Sequence, residues 1–298
     1  MKDFRGKVVV VTGAAMGIGK SLAEKAVQEG CRGLVVADIG AEQLEETAAA
    51  LRRLGSTIVV TAVIDASKLA DVQRLLTTTL DHFGEVNLAC FNAGVGGGRG
   101  SQSVIDGDME QWAWVQRVNF WGPLYGSKLF GKHMVQQAKS AGTEGHIVNT
   151  ASMAGVVAGF LGAYSTSKVS CVALTERLAQ DFFDAGVYPT VSASVLCPAF
   201  VATNIYDQSK YAESGSSKPR QGAAQVFGKL PGSIAPGAVA DAVFDGVRRG
   251  LLYINTHPDE LAVAVTRRAQ RLIAAEVPVR EMATRRQLVR MQQKLSKL

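Results

Sequence analysis

The sequence predicts a three-layer α/β fold built on a doubly wound parallel sheet of about seven strands. Three observations carry this. Short apolar, β-branched runs alternate in strict rotation with longer helical patterns along the 298 residues. The earliest runs are apolar almost without a break, and a glycine-rich turn separates the first of them from the first helix. Such rotation implies right-handed crossovers between parallel strands, and an unbroken apolar strand is one covered by helices on both faces.

In order, the strands read KVVVVT (Lys7–Thr12), LVVAD (Leu34–Asp38), TIVVTAVID (Thr57–Asp65), VNLACFN (Val86–Asn92), GHIVNTAS (Gly145–Ser152), TVSASVLC (Thr190–Cys197) and LLYINT (Leu251–Thr256). GKSLAEKAVQEG reads as a helix stopped by Gly30, and AEQLEETAAALRRLG as one stopped by Gly55, because glycine tolerates the left-handed conformation that closes helices. The polar, Gly/Ser/Pro-rich stretch Asp207–Gly237 follows the carboxyl end of the sixth strand, the edge where open α/β sheets bind ligands. It reads either as a surface loop or as a lid over a substrate. Residues 1–257 are expected to form one domain, and residues 258–298 a helical C-terminal extension of two helices separated near Pro278.

With 47% hydrophobic and 19% charged residues the chain can bury a large core. It contains no apolar run of the roughly 18 to 20 residues that a membrane span needs, and MKDFRGKVVVVTG is too charged for a signal peptide. Cys31, Cys90, Cys171 and Cys197 are scattered without CxxC spacing. No metal site and no disulfide framework is therefore expected, and a reducing, cytoplasmic location fits. The net charge of +6 is concentrated at one end: from Leu261 onward nine basic residues face only Glu276 and Glu281, so the first 260 residues carry −1. The basic balance describes a tail, and no nucleic-acid partner is inferred from it.

The chemistry starts at TGAAMGIG (Thr12–Gly19), whose Gly13, Gly17 and Gly19 lie between a strand and a helix. Glycine there lets the backbone turn tightly and approach a pyrophosphate at the helix N-terminus, with Met16 and Ile18 completing the loop. Asp38 ends the second strand about 20 residues on, where a carboxylate can accept hydrogen bonds from ribose hydroxyls and repel a 2′-phosphate, favouring NAD over NADP. Neighbouring Ile39 and Met16 add no cation to neutralise such a phosphate. Asp65, with Ala66 beside it, has two readings, as a cofactor contact or as the cap of a turn. Asn92, Ala93 and Gly94 follow the fourth strand and either line the adenosine side or form the turn. In YSTSKVSC, Tyr164 and Lys168 project from one face of a helix.

With TGAAMGIG, the NAG of Asn92–Gly94, Asn119, Ser152 and Tyr164-x-x-x-Lys168 in this order, the sequence resembles the short-chain dehydrogenase/reductase family from about Gly6 to Thr256. The resemblance implies a Rossmann-type catalytic domain that moves hydride between NAD and an alcohol or carbonyl carbon. It makes Tyr164 the proton carrier and Lys168 both its tuner and a contact of the nicotinamide ribose. Ser152, 12 residues before Tyr164, would hold the substrate oxygen, and Asn119 would help to position a water behind the lysine. Pro198, Val201 and Thr203 match the segment that faces the nicotinamide carboxamide, with Ala199 where the family usually has glycine. The residue types suit that chemistry. A tyrosine with a pKa near 10 is a poor base at neutral pH, and a nearby cation lowers that pKa.

Ser152, Met153, Phe160, Leu161, Phe200 and Tyr206 are the expected substrate wall. Its apolar character predicts a bulky, uncharged secondary alcohol or its ketone, although the lid also carries Lys210, Lys218 and Arg220. The remaining polar residues of the tyrosine motif, Ser165, Thr166, Ser167 and Ser170, read as packing and hydrogen-bonding positions, and Cys171 as a buried thiol. A homodimer or homotetramer is expected. A catalytically idle NAD(H)-binding sensor is the alternative, because a fold does not guarantee chemistry.

Overall fold

A computed structural model describes residues 1–98, 101–157, 162–203, 205 and 228–275. Its seven strands are β1 (Val8–Thr12), β2 (Gly33–Asp38), β3 (Ile58–Val63), β4 (Leu88–Phe91), β5 (Gly145–Thr150), β6 (Val191–Cys197) and β7 (Tyr253–Asn255). They form one sheet in the order β3-β2-β1-β4-β5-β6-β7, with every neighbouring pair parallel. The helices are α1 (Gly17–Gln28), α2 (Ala41–Arg52), α3 (Leu69–Phe83), α4 (Met109–Gln116), α5 (Gly122–Ala141), α6 (Met153–Val157), α7 (Gly162–Asp184), α8 (Pro236–Arg249) and α9 (Pro258–Ile273). Among the described residues no helix is long and apolar enough to cross a membrane.

The unbroken valines of β1 explain its central place. Val9 and Val11 join Leu22 of α1 and Phe244 of α8 in one core, while Val8 and Val10 join Leu75 of α3, Phe130 of α5 and Phe182 of α7 in the other. Alternate side chains of a strand point to opposite faces, so a strand buried on both must be apolar throughout. The chain winds outward from β1 in both directions, and the reversal opens a crevice at the carboxyl ends of β1 and β4.

All seven expected strands are present, most with trimmed ends. β3 stops at Val63 and β5 at Thr150, so Asp65 and Ser152 stand in the loops beyond their strands. Helix α2 ends three residues before Gly55, with the Arg53 N–H donating to the Ala50 carbonyl and the Leu54 N–H to the Leu51 carbonyl. The expected low-order stretch Asp207–Gly237 is ordered at its end: Ile234 pairs with Val201, and α8 starts at Pro236. Proline at the first helical position loses no hydrogen bond there, and it holds the preceding Ala235 in an extended conformation, as observed. Of the C-terminal extension, the first expected helix is α9, and the second lies outside the described residues.

A buried histidine joins β5 to β6. His146, 1% exposed, has Nε2 2.8 Å from Ser194 Oγ and Nδ1 2.8 Å from Ser192 Oγ. Ser194 gives its only proton to the Leu251 carbonyl at 2.5 Å, so it accepts from the imidazole Nε2–H, and Nδ1 in turn accepts from Ser192. The network accommodates a neutral ring, and burial, which pushes the His146 pKa down to about 3, keeps it neutral. An unfolded histidine takes up its proton near pH 6.5. Between these two values the unfolded chain binds more protons, so stability falls as the pH drops, by about 1.4 kcal/mol per pH unit from this group. Replacing His146→Asn is expected to flatten the dependence of urea-unfolding free energy on pH between about 6 and 4 by that amount. An unchanged slope would assign the acid sensitivity elsewhere.

Candidate active site

The glycine loop is shaped by close approach. Gly13 has a φ of 66°, and a Cβ there would lie 2.8 Å from Ala93 Cα; a Cβ at Gly19 would lie 2.0 Å from the Gly13 carbonyl oxygen. Only glycine fits either position. Gly17 faces the methyl of Thr203, so the loop touches the segment after β6. Met16 is the extended N-cap of α1 and supplies no side-chain cap, and the first turn, with Ile18 in it, holds no acidic residue. The helix dipole and first-turn N–H groups thus favour an anion.

Asp38 closes the other side of this loop. Its carboxylate accepts the Ala15 N–H at 3.0 Å on one oxygen and the Gly40 N–H at 3.1 Å on the other. Both oxygens keep further lone pairs, and Ile39 beside it is 41% exposed. Asp65 shows its turn-capping reading: Oδ1 accepts the Ser67 N–H at 2.9 Å and the Ser67 hydroxyl at 2.7 Å, while Lys68 pairs with Oδ2 at 3.5 Å. The Ala66 carbonyl packs under Gly122 at the start of α5.

Asn92 and Ala93 weld strand ends together. Thr12 Oγ1 accepts both the Asn92 N–H at 3.0 Å and the Ala93 N–H at 3.1 Å, and Asn92 Nδ2 donates to the Thr12 carbonyl at 3.2 Å. Thr150 Oγ1 donates to Asn92 Oδ1 at 3.4 Å, which brings in β5. Sequence reasoning placed Thr12 inside the loop without assigning its hydroxyl. Its position as the last strand residue before the glycines was the available signal. Gly94 fills a tight space, since a Cβ there would lie 3.3 Å from Asn119 Oδ1 and 3.4 Å from Lys168 Nζ.

Helix α7 carries Tyr164 and Lys168 on the buried side, 9% and 2% exposed. Lys168 Nζ lies 5.7 Å from the centroid of the Tyr164 ring and donates to the Thr150 carbonyl at 2.7 Å. Burial pushes its pKa below the usual lysine range. Two neighbouring thiols stay protonated, because burial pushes Cys171 up to about 11 and Cys197 up to about 12. Ser152, 8% exposed, donates to the Pro198 carbonyl at 3.3 Å and accepts the Ala154 N–H at 3.1 Å.

Asn119 sits in a π-helical turn, Arg117–Trp121, between α4 and α5. Its amide side chain is fully used: Oδ1 accepts the Val95 N–H at 2.8 Å, and Nδ2 donates to the Val95 carbonyl at 2.9 Å and to Ser167 Oγ at 3.1 Å. Ser167 passes its own proton to the Tyr164 carbonyl at 2.7 Å. Pro123, four residues beyond Asn119, has no N–H, so the Asn119 carbonyl lacks its α-helical donor. Asparagine disfavours a helix by propensity, and here it marks the π-turn that faces the lysine.

The segment after β6 runs from Pro198 through Thr203. Ala202 donates to the Ile234 carbonyl and Ile234 to the Phe200 carbonyl, both at 3.1 Å, so the polar groups of Val201 itself point away from Ile234. Ala199, in place of a glycine, has no positive φ, and the turn forms without strain. Of the expected substrate wall, Met153 opens α6 and Phe200 is half-buried, while Phe160, Leu161 and Tyr206 lie outside the described residues. So do residues 207–227 of the expected lid. Three strand ends, the α1 terminus and the α7 pair thus converge on one crevice.

Residues 7–214 match the family model described as short chain dehydrogenase. The CLA biosynthesis dehydrogenase/reductase of Lactiplantibacillus plantarum is 30% identical over 290 residues, 93% of this chain and 97% of that protein. The 3beta-hydroxysteroid dehydrogenase 2 of Eggerthella lenta is 31% identical over 201 residues, 67% of this chain and 73% of its own. Among solved structures, a short chain dehydrogenase/reductase from Burkholderia phymatum in complex with NAD matches with a TM-score of 0.81 at 35% identity, covering 93% of this chain and 98% of that one. Sheet order, glycine loop and these similarities agree, and the chain belongs to the short-chain dehydrogenase/reductase family.

Proposed function

We propose that the chain is an NAD-dependent oxidoreductase that interconverts a bulky, uncharged secondary alcohol and its ketone. The observation that carries this reading is the buried Lys168 ammonium 5.7 Å from the Tyr164 ring. A phenolate and an ammonium in one low-dielectric site stabilise each other's charge, which favours the deprotonated tyrosine as a base. Tyr164 then takes the hydroxyl proton during oxidation and returns it during reduction. Ser152 aligns the substrate oxygen beside the phenol: its bond to Pro198 is long at 3.3 Å and is given up at little cost. The Asn119 carbonyl, to which Pro123 offers no N–H, accepts from a water that connects to Lys168.

Gly13, Gly17 and Gly19 with the start of α1 would hold the pyrophosphate of the cofactor, Asp38 its adenosine ribose, Lys168 its nicotinamide ribose, and Val201 and Thr203 its carboxamide. NAD, when bound, supplies the hydride acceptor. Asp38 excludes a 2′-phosphate by charge, and the NAD complex of the Burkholderia phymatum relative supports the same preference. Met153 and Phe200 make the described part of the pocket wall apolar, in keeping with the hydroxysteroid named for the Eggerthella lenta relative. Buried free cysteines suit a reducing cytoplasm. Exposed Val104, Ile105, Met109 and Trp121 suit a homo-oligomer.

Replacing Tyr164→Phe is expected to lower NADH formation from secondary alcohols by about 100-fold or more while NADH binding, followed by its fluorescence, stays within about threefold of the parent. Undiminished turnover would remove Tyr164 as proton carrier, and a parent that binds NADH but is inert on every alcohol and ketone would favour a sensor. For the cofactor, Asp38→Ala is expected to raise the KM for NAD about tenfold and to allow use of NADP, with a small loss of Tm because the Ala15 N–H loses its acceptor. A parent that already prefers NADP would overturn the assignment of Asp38.

A further inference from the structure

Helix α6 is five residues long, too short to hold its own shape, and three different elements hold it. Its N-terminus is capped by Ser152, which accepts the Ala154 N–H. Its middle rests directly on α7, because a Cβ at Gly155 would lie 2.5 Å from the Lys168 carbonyl oxygen. Its last turn is held from the C-terminal extension, where the Arg268 guanidinium on α9 donates to the Val156 carbonyl. A cation at that end also complements the helix dipole.

The same α9 is anchored separately at its other end. His257, at its N-cap, donates from Nε2 to the Gly232 carbonyl at 2.6 Å, with Nδ1 2.7 Å from the Thr256 hydroxyl. Gly232 lies two residues before Ile234, which pairs with Val201. Leu261 is 8% exposed and seats the first turn. His257 and Arg268 are separated by about 16 Å along the helix axis. A single helix therefore links the segment that pairs with Val201 to the short helix that carries Met153.

We propose that α9 is a strap that sets the width of the substrate cleft, and that Arg268 is its positioning residue, acting through α6 on Met153. The proposal rests on the alcohol and ketone reading of this site. Arg268 touches neither substrate nor cofactor in it. Its loss lets α6 drift from α7, which widens the wall for a bulky substrate and leaves the phenol, the lysine and the glycine loop in place.

The test compares Arg268→Met, which keeps the aliphatic stem and removes the donors, with Arg268→Lys, which keeps a cation able to reach a carbonyl. Steady-state kinetics are measured on 1-phenylethanol, 2-propanol and NAD, together with amide hydrogen exchange of the full chain. For the methionine variant the KM for 1-phenylethanol is expected to rise about tenfold, with the KM for 2-propanol, the KM for NAD and kcat each within about twofold of the parent. Exchange across 153–157 is expected to quicken about tenfold while 162–184 is unchanged. The lysine variant should return the 1-phenylethanol KM to within about threefold. Unchanged exchange at 153–157, or a joint fall of kcat and NAD binding with faster exchange in 162–184, would overturn the strap. A parent inert on both alcohols counts against the functional reading alone, and the exchange of 153–157 then decides the strap by itself.

Discussion

A lysine ammonium only 2% exposed is the constraint around which this molecule is arranged. Removing such a charge from water is costly unless the fold supplies replacement dipoles. The Thr150 carbonyl supplies one at 2.7 Å, and it is available because β5 ends there and its last backbone group leaves the ladder. The tyrosine ring lies alongside, and the backbone at Gly94 approaches from β4 with no side chain to block it. The carboxyl ends of β4 and β5 and the first turns of α7 must therefore stay in register to within a few tenths of an ångström. The rest of the crevice meets that demand.

Much of the site does two jobs with the same atoms. Asp38 holds the glycine loop through Ala15 while its remaining lone pairs face outward. Asn92 ties β1 to β5 through Thr12 and Thr150. Asn119 spends its amide on Val95 and Ser167, and Pro123, beyond the π-turn around it, offers its carbonyl no N–H. Residues that hold the scaffold and residues that do the chemistry are not separate sets here. Preorganisation of this kind requires no rearrangement when charge develops.

The strands were legible because β-branched apolar runs bounded by turn residues have few other ways to bury themselves. Their ends were not: β3 stops where its partner β2 ends at Asp38, and β5 stops one residue before the end of β6. Gly55 was misleading as a stop signal, since α2 closes on its own backbone at Arg53. Pro236, near the end of a segment that composition marked as a surface loop or a lid, begins a helix packed on α1 and β7. For Asp65 both readings were open, and Ser67 two residues on was close enough to capture its carboxylate. Ser167 and Cys171 behave as their small size and position in the motif suggested, at 0% exposure.

By itself, the sequence determined the parallel α/β class, the order of the elements, the glycine loop and the four polar residues of the crevice. The first three rest on local chemistry, side-chain periodicity and the missing Cβ of glycine, and the four polar residues rest on the resemblance to the short-chain dehydrogenase/reductase family. Tertiary structure alone decided which carbonyl receives Lys168, that Asn92 joins three strand ends, and that His257 and Arg268 tie the C-terminal helix to the Gly232 and Val156 carbonyls. Partners such as Arg268 and Val156 are 112 residues apart in the chain. Contacts over such a distance have no periodicity to announce them, and they come into being only when the sheet has set the positions of both ends.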